Sequence, residues 1–401
     1  APCATVRSAL SSITVALVGV VGMTACGSSA PTAATPAGRA AVRAPTCVHD
    51  DAFAEAQPGP VVYGAFAFQQ RPIWPVIDEA TSELVLRDLE TSDVRARIAI
   101  PARGALMVTS TLAMPSGPAI VVTETPPAPD DEVTMTHFVW LVPFDGDKAR
   151  PPIKLPLPLE DTYTDDMIAA GDHLVVLRRA WLEEERDPEG PWPDDAALAA
   201  RDAKRPATLL VLDAARRIVH TSEEVGATGL VALDDHTFAL TRATGEPGGE
   251  AVRTFDVQRG AWSAGEVRSA WMTAAYTRVG SRTLLVGTRP NPDDVNARSY
   301  ALATLSADGV MSPWQPTPLV GWAVSVTEAP TFGGALLVVM HQEQPGSQAN
   351  ALRIAMVGPD LAVSETTRAA APLTAVGTDA FLISDHLYTA GFSRVAKYTC
   401  R

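Results

Sequence analysis

The sequence predicts an all-β protein, a β-propeller of seven four-stranded blades. Three observations carry this prediction: short apolar runs recur about every 50 residues, polar turns rich in Asp, Gly and Pro separate them, and only 19% of the residues are charged. Four antiparallel strands repeated every 40–50 residues or so are typical of propeller blades. The 33 prolines and 28 glycines among 401 residues favour turns over long helices.

Seven apolar runs define the repeat, at 61–63, 119–122, 174–177, 237–240, 283–286, 336–339 and 381–383. A shorter strand precedes each run, and a second apolar run follows it after a polar connection. In the first six units a tight turn with Asp or Gly comes next, such as Asp308-Gly309, and leads into an antiparallel partner strand. Each unit therefore supplies the four strands of one blade. The alternative is an irregular pair of β-sandwiches.

Residues 1–25 differ from the rest of the chain. Arg7 is followed by the uncharged segment 8–25, which closes on Met23-Thr24-Ala25 before Cys26. This segment resembles the signal peptide and lipobox of a bacterial lipoprotein, with Met23 where Leu is usual. The alternative is an uncleaved transmembrane anchor, because eighteen residues or so are just long enough to span a bilayer.

The lipoprotein resemblance implies that residues 1–25 are removed and that Cys26 carries acyl chains such as palmitate. The protein would then be exported and anchored to the outer leaflet of the plasma membrane, or to the outer membrane of a diderm cell. Residues 26–46 are small, broken by prolines and poor in bulky apolar side chains, so they are expected to form a flexible tether. Residues 47–401 contain no comparable linker and are expected to form the propeller domain.

The seventh unit ends at Cys400, on its third strand, so its outermost strand has to come from elsewhere. The segment around Cys47 is positioned to supply it and to close the ring. Cys47 and Cys400 are then expected to form a disulfide, since exported proteins meet an oxidising environment. The alternative is a pair of buried free thiols.

Two segments resemble kelch-type propellers. The segment from Asp256 to Trp262 is similar to the Asp-to-Trp turn of kelch blades, and Gly333-Gly334 before an apolar run is similar to the kelch double glycine. The resemblance covers about two blades and implies the propeller fold without assigning catalytic residues.

Acidic residues concentrate in the connections between the second and third strands of each blade, predicted at 69–83, 124–135, 178–206, 243–250, 289–299, 341–350 and 385–393. These connections carry 21 acidic and 9 basic residues, close to the whole formal charge of −14. They would share one face of the propeller, which predicts an acidic binding face. The charge and the absence of clustered Lys and Arg argue against nucleic acid as a partner.

Candidate binding residues follow from this face. The largest connection contributes Glu183, Glu184, Glu185, Asp194 and Asp195, while His341 with Glu343, and Asp385 with His386, are expected to converge from adjacent blades near the channel mouth. Such groups could bind a metal or act as acid and base; the alternative is an ordinary solvated surface. Aromatic side chains predicted in the same connections could stack on sugar rings, namely Trp74, Trp192 and Tyr388.

No catalytic motif, metal-ligand spacing or cofactor fingerprint was found, so no catalytic residue, metal site or cofactor is assigned. The leading hypothesis is a lipid-anchored, non-catalytic binding or scaffold module whose acidic face contacts an envelope protein or a cationic ligand. One alternative is a glycosidase-like enzyme with paired carboxylates on that face. Another is an adhesion module that depends on Ca²⁺ bound by paired acids such as Asp130-Asp131.

Overall fold

The computed structural model describes residues 44–50, 52–53, 66–68, 71–126, 137–146, 148–157, 162–180, 182, 195–342, 350–371, 379–390 and 395–401. Their strands form seven antiparallel sheets, which confirms the all-β, seven-bladed propeller. No helix in these ranges is both long enough and apolar enough to cross a membrane. Cys26 and the predicted signal peptide and most of the tether lie outside the described residues.

The four strand positions of each blade are called A to D, from the channel outward. The first strand, β1 (Cys47–His49), belongs to the last blade. Blade 1 contains β2 (Phe66–Phe68), β3 (Arg71–Asp78), β4 (Glu83–Asp88) and β5 (Val94–Ala99). Blade 2 contains β6 (Ala105–Met114), β7 (Gly117–Thr125) and β8 (Phe138–Asp145), with β9 (Lys148–Ala149) and β10 (Ile153–Lys154) sharing position D. Blade 3 contains β11 (Thr162–Ala170), β12 (His173–Ala180), β13 (Ala207–Leu212) and β14 (Ile218–Glu223), with helix α1 (Asp195–Asp202) before β13.

The remaining blades continue in the same order. Blade 4 contains β15 (Ala227–Ala232), β16 (Thr237–Ala243) and β17 (Glu250–Asp256), with β18 (Ala261–Trp262) and β19 (Val267–Ser269) in position D. Blade 5 contains β20 (Met272–Val279), β21 (Arg282–Asn291), β22 (Asp294–Leu305) and β23 (Gln315–Gly321). Blade 6 contains β24 (Ala323–Ala329), a 3₁₀ turn (Pro330–Phe332), β25 (Gly334–Gln342), β26 (Asn350–Val357) and β27 (Val363–Ala371). Blade 7 contains β28 (Asp379–Ile383), β29 (His386–Ala390) and β30 (Val395–Cys400), with β1 in position D.

The core lies between neighbouring blades. In strand B of blade 3 all four residues from Leu174 to Leu177 are fully buried, although adjacent side chains of a strand point to opposite faces. Leu174 and Val176 pack against blade 2, while Val175 and Leu177 pack against blade 4. Both faces of a blade are therefore covered, which explains why strand B reads as a continuous apolar run rather than as an alternating one.

Strand A carries a β-bulge in each of blades 2 to 5. The pairing with strand B skips a residue between Val108 and Ser110, Thr164 and Asp166, Ala227 and Gly229, and Thr273 and Ala275. Strand A of blade 6 pairs continuously with its neighbour. A bulge bends its strand and redirects the side chains beyond it, so the wall of the channel is built differently on its two sides.

Aspartates stabilise the turns between strands C and D. Asp256 Oδ1 accepts hydrogen bonds from the backbone N–H groups of Gln258 and Arg259, at 2.9 and 3.0 Å. Asp88 Oδ1 accepts in the same way from Glu90 and Thr91. Short Asp side chains cap turns by this local bond. The turn from Asp256 to Trp262 is one of these C–D turns.

The ring closes where the sequence predicts. The β1 strand pairs with β30, and the Cys47–Cys400 disulfide joins the two strands directly across the sheet. Thr46 and Arg401 exchange backbone hydrogen bonds of 2.8 and 3.1 Å beside it. The predicted disulfide and the closure by an N-terminal strand are both confirmed, and the bond links residues separated by 353 positions.

A polar contact reinforces this closure between blades 7 and 1. Glu90 lies in the C–D turn of blade 1 and reaches into blade 7, where its Oε1 accepts hydrogen bonds from Tyr388 Oη and Lys397 Nζ, both at 2.7 Å. The hydrogen bonds from Lys397 and Tyr388 hold the pKa of Glu90 below its usual range. Neutralising Glu90 therefore removes hydrogen bonds that hold blade 1 against blade 7, the blade in which β1 closes the ring.

We expect Glu90→Gln to lower the free energy of unfolding by about 1 kcal/mol at pH 7, because half-exposed charge-assisted bonds are screened by water. A depressed pKa contributes stability above the unfolded value of 4.5, and the contribution is lost as the pH falls through the folded value. Wild type and variant should therefore converge in urea unfolding once the pH is below the folded pKa of Glu90. Glu79→Gln, at an exposed turn of the same blade, is the control; an equal effect there would contradict the assignment.

Two predicted connections contain a whole strand, in blades 1 and 7, and a third, 289–299, is mostly strand because β21 ends at Asn291 and β22 begins at Asp294. Segment 69–83 contains β3. The sequence analysis did not predict this strand because it contains Pro72 and Pro75, and proline is rare in central strands. The Pro72 carbonyl still accepts a hydrogen bond from Leu89 N. Segment 385–393 contains β29, so the apolar run at 381–383 is strand A of blade 7 rather than strand B.

The aromatic residues of these two segments are therefore not on a loop face. Trp74 and Tyr388 are 4% and 2% exposed and pack with Phe381 in the core between blades 7 and 1. The interpretation of Trp74 and Tyr388 as sugar-stacking side chains is wrong, because both lie in paired strands. Trp192 lies outside the described residues.

Candidate functional site

The two faces of the propeller differ in their connections. The face that carries the B–C connections is called the upper face, and the face that carries the A–B and C–D turns is called the lower face. The A–B turns are short, as at 115–116, 171–172 and 280–281, whereas the B–C connection of blade 3 runs from 181 to 206. Long connections on a rigid β scaffold are where binding sites are usually built, so the upper face is the candidate site.

Helix α1 forms part of this longest connection. Its sequence, Asp-Ala-Ala-Leu-Ala-Ala-Arg-Asp, is rich in the residues of highest helix propensity. Arg201 lies in the last turn, where a positive charge interacts favourably with the helix dipole. The helix is too short to be stable alone, so its position depends on contacts with the blade below.

Arg205 supplies those contacts. Its side chain is only 2% exposed. One guanidinium nitrogen, Nη1, donates to Tyr163 Oη at 3.1 Å and to the Ala180 carbonyl at 3.4 Å, and Nη2 lies 3.2 Å from Asp202 Oδ1. Arg205 thereby connects the start of strand A, the end of strand B and the end of helix α1. The blade-3 connection is fixed to the propeller at its base by one buried cation.

The base of this connection is basic, which the sequence analysis did not predict. Arg178 and Arg179 at the end of β12 are also buried, at 3% and 9% exposure. Burial lowers the pKa of His137 in blade 2, and the positive charge of Arg178 lowers it further. The sequence does contain two arginines at the end of an apolar strand, which indicate this basic region. The sequence analysis missed the region because it considered only the net negative charge of the whole connection.

Glu124, counted on the acidic face, is a buried structural carboxylate. It accepts hydrogen bonds from Arg103 N, Gly104 N and Trp140 Nε1 at 2.8, 3.1 and 2.8 Å. Burial alone would raise its pKa, but these bonds and the charge of Lys154, at 3.9 Å, hold the pKa of Glu124 below its usual range. The side chain is 3% exposed and closes the link into strand A of blade 2.

Glu250, also counted on that face, is buried at the seam between blades 4 and 5, with 1% exposure. Its Oε2 accepts hydrogen bonds from Thr273 N at 2.9 Å and Thr273 Oγ1 at 2.7 Å. Burial raises the pKa of Glu250 to about 7. Neither Glu124 nor Glu250 is accessible from the upper face, so neither is available as one of the paired carboxylates of a glycosidase-like site.

The structure separates the predicted histidine sites. His341 lies near the upper end of β25, on the B–C side of blade 6, whereas Asp385 and His386 form the A–B hairpin of blade 7. The Asp385 carbonyl accepts a hydrogen bond from Cys400 N, and His386 Nδ1 lies 2.9 Å from Asp385 Oδ1. The expectation that Asp385 and His386 converge with His341 at the channel mouth is wrong, because the two groups occupy opposite faces.

The other predicted binding residues of the acidic face are mostly outside the described ranges, namely Glu183, Glu184, Glu185, Asp194 and Glu343. Asp195 is the first residue of helix α1, so its backbone lies on the upper face. Among the residues that the structure describes, no three His, Cys, Asp or Glu side chains come together in a way that could hold a metal ion.

Replacing Arg205 tests the anchoring of the blade-3 connection. We expect Arg205→Met to lower the free energy of unfolding by about 3 kcal/mol, because Asp202 and Tyr163 lose a buried charged partner. Limited proteolysis should then cut within 195–204, where the wild type resists. Arg217→Met is the matched control, since Arg217 is 78% exposed and pairs with Asp213, and such a pair contributes about 1 kcal/mol or less. Equal losses in the two variants would contradict the anchoring role.

Comparison with known proteins finds similarity in the fold of the chain. No protein-family model matches it, and no curated protein matches it. A chain of hydrazine synthase from Kuenenia stuttgartiensis is similar, with a TM-score of 0.51, 12% identity and coverage of 88% of this chain and 97% of that chain. At this identity the similarity shows the propeller fold alone.

Two other solved structures are similar at lower scores. BBS1N, solved in complex with ARL6DN and soaked with lead, has a TM-score of 0.45 and 12% identity, over 89% of this chain and 96% of that chain. A eukaryotic initiation factor has a TM-score of 0.40 and 10% identity, over 86% of each chain. Scores at this level say nothing about function.

Proposed function

We propose that this protein is a lipid-anchored β-propeller of the bacterial cell envelope. In this proposal it binds another envelope protein through the upper face and catalyses no reaction. Cys26 holds it to the membrane through acyl chains, residues 26–46 are the tether, and the partner carries a cationic patch that meets the acidic segment 183–185. The observation that carries the proposal is the buried Arg205, which fixes an extended connection to one face of the ring.

The entry point of the chain supports this orientation. Cys47 is the first residue of β1 and lies opposite Cys400, whose backbone N–H bonds the Asp385 carbonyl in the lower-face hairpin. A tether that leads into Cys47 therefore reaches the propeller at its lower face. With the lipid on that side, the lower face is turned toward the bilayer and the upper face away from it.

The reach of the tether agrees with an envelope-bound partner. A flexible segment of about twenty residues extends on the order of 25 Å on average. The propeller then stays close to the membrane while its upper face is free to contact a neighbour. A partner held in the same envelope meets this face at a high effective concentration, so a modest interface area is sufficient.

Charge reversal on the two faces tests the proposal. The protein is purified with its bound partners from detergent-solubilised envelope of its host, as wild type, as the upper-face variant Glu183→Lys with Glu184→Lys, and as the lower-face control Asp172→Lys with Asp235→Lys. We expect a stoichiometric partner with the wild type and the control, and its loss with the upper-face variant. Retention by the upper-face variant with loss from the control would overturn the assignment of the face, and absence of any stoichiometric partner would overturn the function.

A further inference from the structure

Two buried glutamates of this propeller have opposite surroundings. The Glu124 carboxylate accepts hydrogen bonds from two backbone N–H groups and an indole N–H, and it forms an ion pair with the ammonium group of Lys154. All four groups favour the ionised carboxylate. The Glu250 carboxyl group accepts hydrogen bonds from one backbone N–H and from hydroxyl groups. The hydroxyl oxygen of Thr273 lies 2.7 Å from Glu250 Oε2, and that of Thr228 lies 3.5 Å from Glu250 Oε1. The Thr228 hydroxyl is also hydrogen-bonded to the hydroxyl of Thr241.

We propose that the seam between blades 4 and 5 is a proton-controlled joint, closed when Glu250 is neutral and loosened when Glu250 ionises. Glu250 begins strand C of blade 4, and its strongest partner, Thr273, lies in strand A of blade 5 beside the bulge at 273–275. A neutral carboxyl accepts both hydrogen bonds from Thr273 without adding charge. An ionised carboxylate at 1% exposure draws in water, and the polar seam is where that water enters.

The charged side chains around Glu250 are engaged elsewhere. On β16, Arg242 donates to the Val225 carbonyl at 2.8 Å and lies 4.0 Å from Glu266. On β17 itself, Arg253 donates to the Ser263 carbonyl and lies over the Trp262 ring. On β19, Arg268 points into solvent. Strand β15 contributes no charged residue.

Blade 5 offers no countercharge to Glu250 either. Arg289 of β21 lies 4.3 Å above the ring of Trp271, and Arg278 of β20 lies 3.9 Å from Asp235. Burial also raises the pKa of Tyr276 of β20 far above the neutral range, so Tyr276 stays neutral. Within the described residues, then, no basic side chain lies within ion-pair distance of Glu250, and a proton is the means of neutralising it.

The sign of the pH effect follows from this environment. Burial raises the pKa of Glu250 from 4.5 to about 7. The folded protein then holds a proton that the unfolded chain releases near pH 4.5, so stability from this group is fully present below 4.5 and is lost as the pH rises through about 7. The pH range of the change includes neutral pH, which an exported protein meets directly.

The joint is buried at the upper end of blades 4 and 5, directly beneath the B–C connection of blade 4. The B–C connection of blade 4, residues 244–249, leads directly into Glu250, and Thr244 N donates to the Gly249 carbonyl at 3.2 Å. Loosening the seam releases the end of this connection, at Glu250, from Thr273 of strand A in blade 5. The joint depends only on Glu250 and its neighbours, so it stands whether or not the upper face binds the proposed partner.

The experiment measures chemical unfolding and amide exchange of the purified protein from pH 5 to pH 8 in three forms: wild type, Glu250→Gln and Glu124→Gln. Relative to Glu250→Gln, we expect the folding constant of the wild type to fall roughly 70-fold over this range. Exchange of the Thr273 amide, corrected for intrinsic rates, should rise with the same midpoint. Glu124→Gln should be less stable than the wild type by a constant factor at every pH, because Glu124 is ionised throughout.

Infrared spectra of the wild type give an independent readout, which serves if Glu250→Gln does not fold. We expect a carboxylic-acid C=O band that is present at pH 5.5, where ordinary carboxyls are ionised, and disappears with a midpoint near 7. Identical pH profiles for wild type and Glu250→Gln, or no such band in the wild type, would overturn the proposal.

Discussion

Replacing both Cys47 and Cys400 by serine is expected to lower the free energy of unfolding by about 4–5 kcal/mol. The disulfide joins residues 353 positions apart, and closing so long a loop removes more entropy from the unfolded chain than any shorter cross-link would. The loss is a large fraction of the net stability of an ordinary domain, which is of the order of 5–15 kcal/mol. Without the disulfide, the pairing of β1 with β30 consists of three residue pairs.

Reduction of the wild type separates the effect of losing the disulfide from the effect of the serine substitutions. Urea unfolding of the wild type with a strong reductant should match that of the double serine variant, and reductant should leave the variant itself unchanged. Both partners are 1% exposed, so reduction of the native protein is expected to be slow and to follow opening of the ring. Unchanged stability of the double variant would mean that β1 and the Glu90 contact close the ring without the bond.

Replacing Cys26 by serine is expected to move the protein from the membrane fraction to the soluble fraction. Each buried CH₂ of an acyl chain contributes about 0.8 kcal/mol to membrane binding, and two or more chains anchor a protein stably. Without the thiol no chain can be attached, and the tether is too poor in bulky apolar side chains to hold lipid by itself. The deciding measurement is labelling with palmitate, which should be lost from Cys26→Ser, and fractionation of cells that express each variant is the second readout.

Cys3→Ser is the matched control for this replacement. It removes a thiol from the segment that the lipoprotein proposal treats as cleaved, so both palmitate labelling and membrane fractionation should be unaffected. Retention of Cys26→Ser in the membrane would contradict lipid anchoring, and it is the result expected of the alternative, an uncleaved apolar anchor at 8–25.

The sequence was sufficient for the blade count and the ring closure because both depend on local patterns. Strands B and C are buried on two sides and read as apolar runs, as at Leu174–Leu177, and Asp-containing turns such as the one at Asp256 mark the hairpins. The pattern failed in blade 1, where Pro72 and Pro75 occupy a central strand, and in blade 7, where strand B is short. In both places a tertiary neighbour, rather than local preference, determines the strand.

The candidate site was harder to predict, because charge counts do not show burial. Glu124 lies near the end of the apolar strand β7 and Glu250 begins β17 after a polar connection, so both read as rim acids, yet both are buried. Arg205 lies in a polar segment and reads as a solvated charge, and only the packing of Tyr163 and Asp202 around it shows that it fixes the connection. Several of the contacts that bury these residues join positions far apart in the sequence, such as Arg205 with Tyr163 and Glu250 with Thr273, and no local pattern encodes them.

Site-specific photo-crosslinking in living cells tests the central proposal, binding through the upper face, most directly. A photoreactive amino acid is placed at Asp293 on the upper face and, separately, at Asp235 on the lower face, both of which are exposed. We predict a single discrete adduct with an envelope protein from position 293 and none from position 235. An adduct from position 235 alone, or the same adducts from both positions, would contradict binding through the upper face.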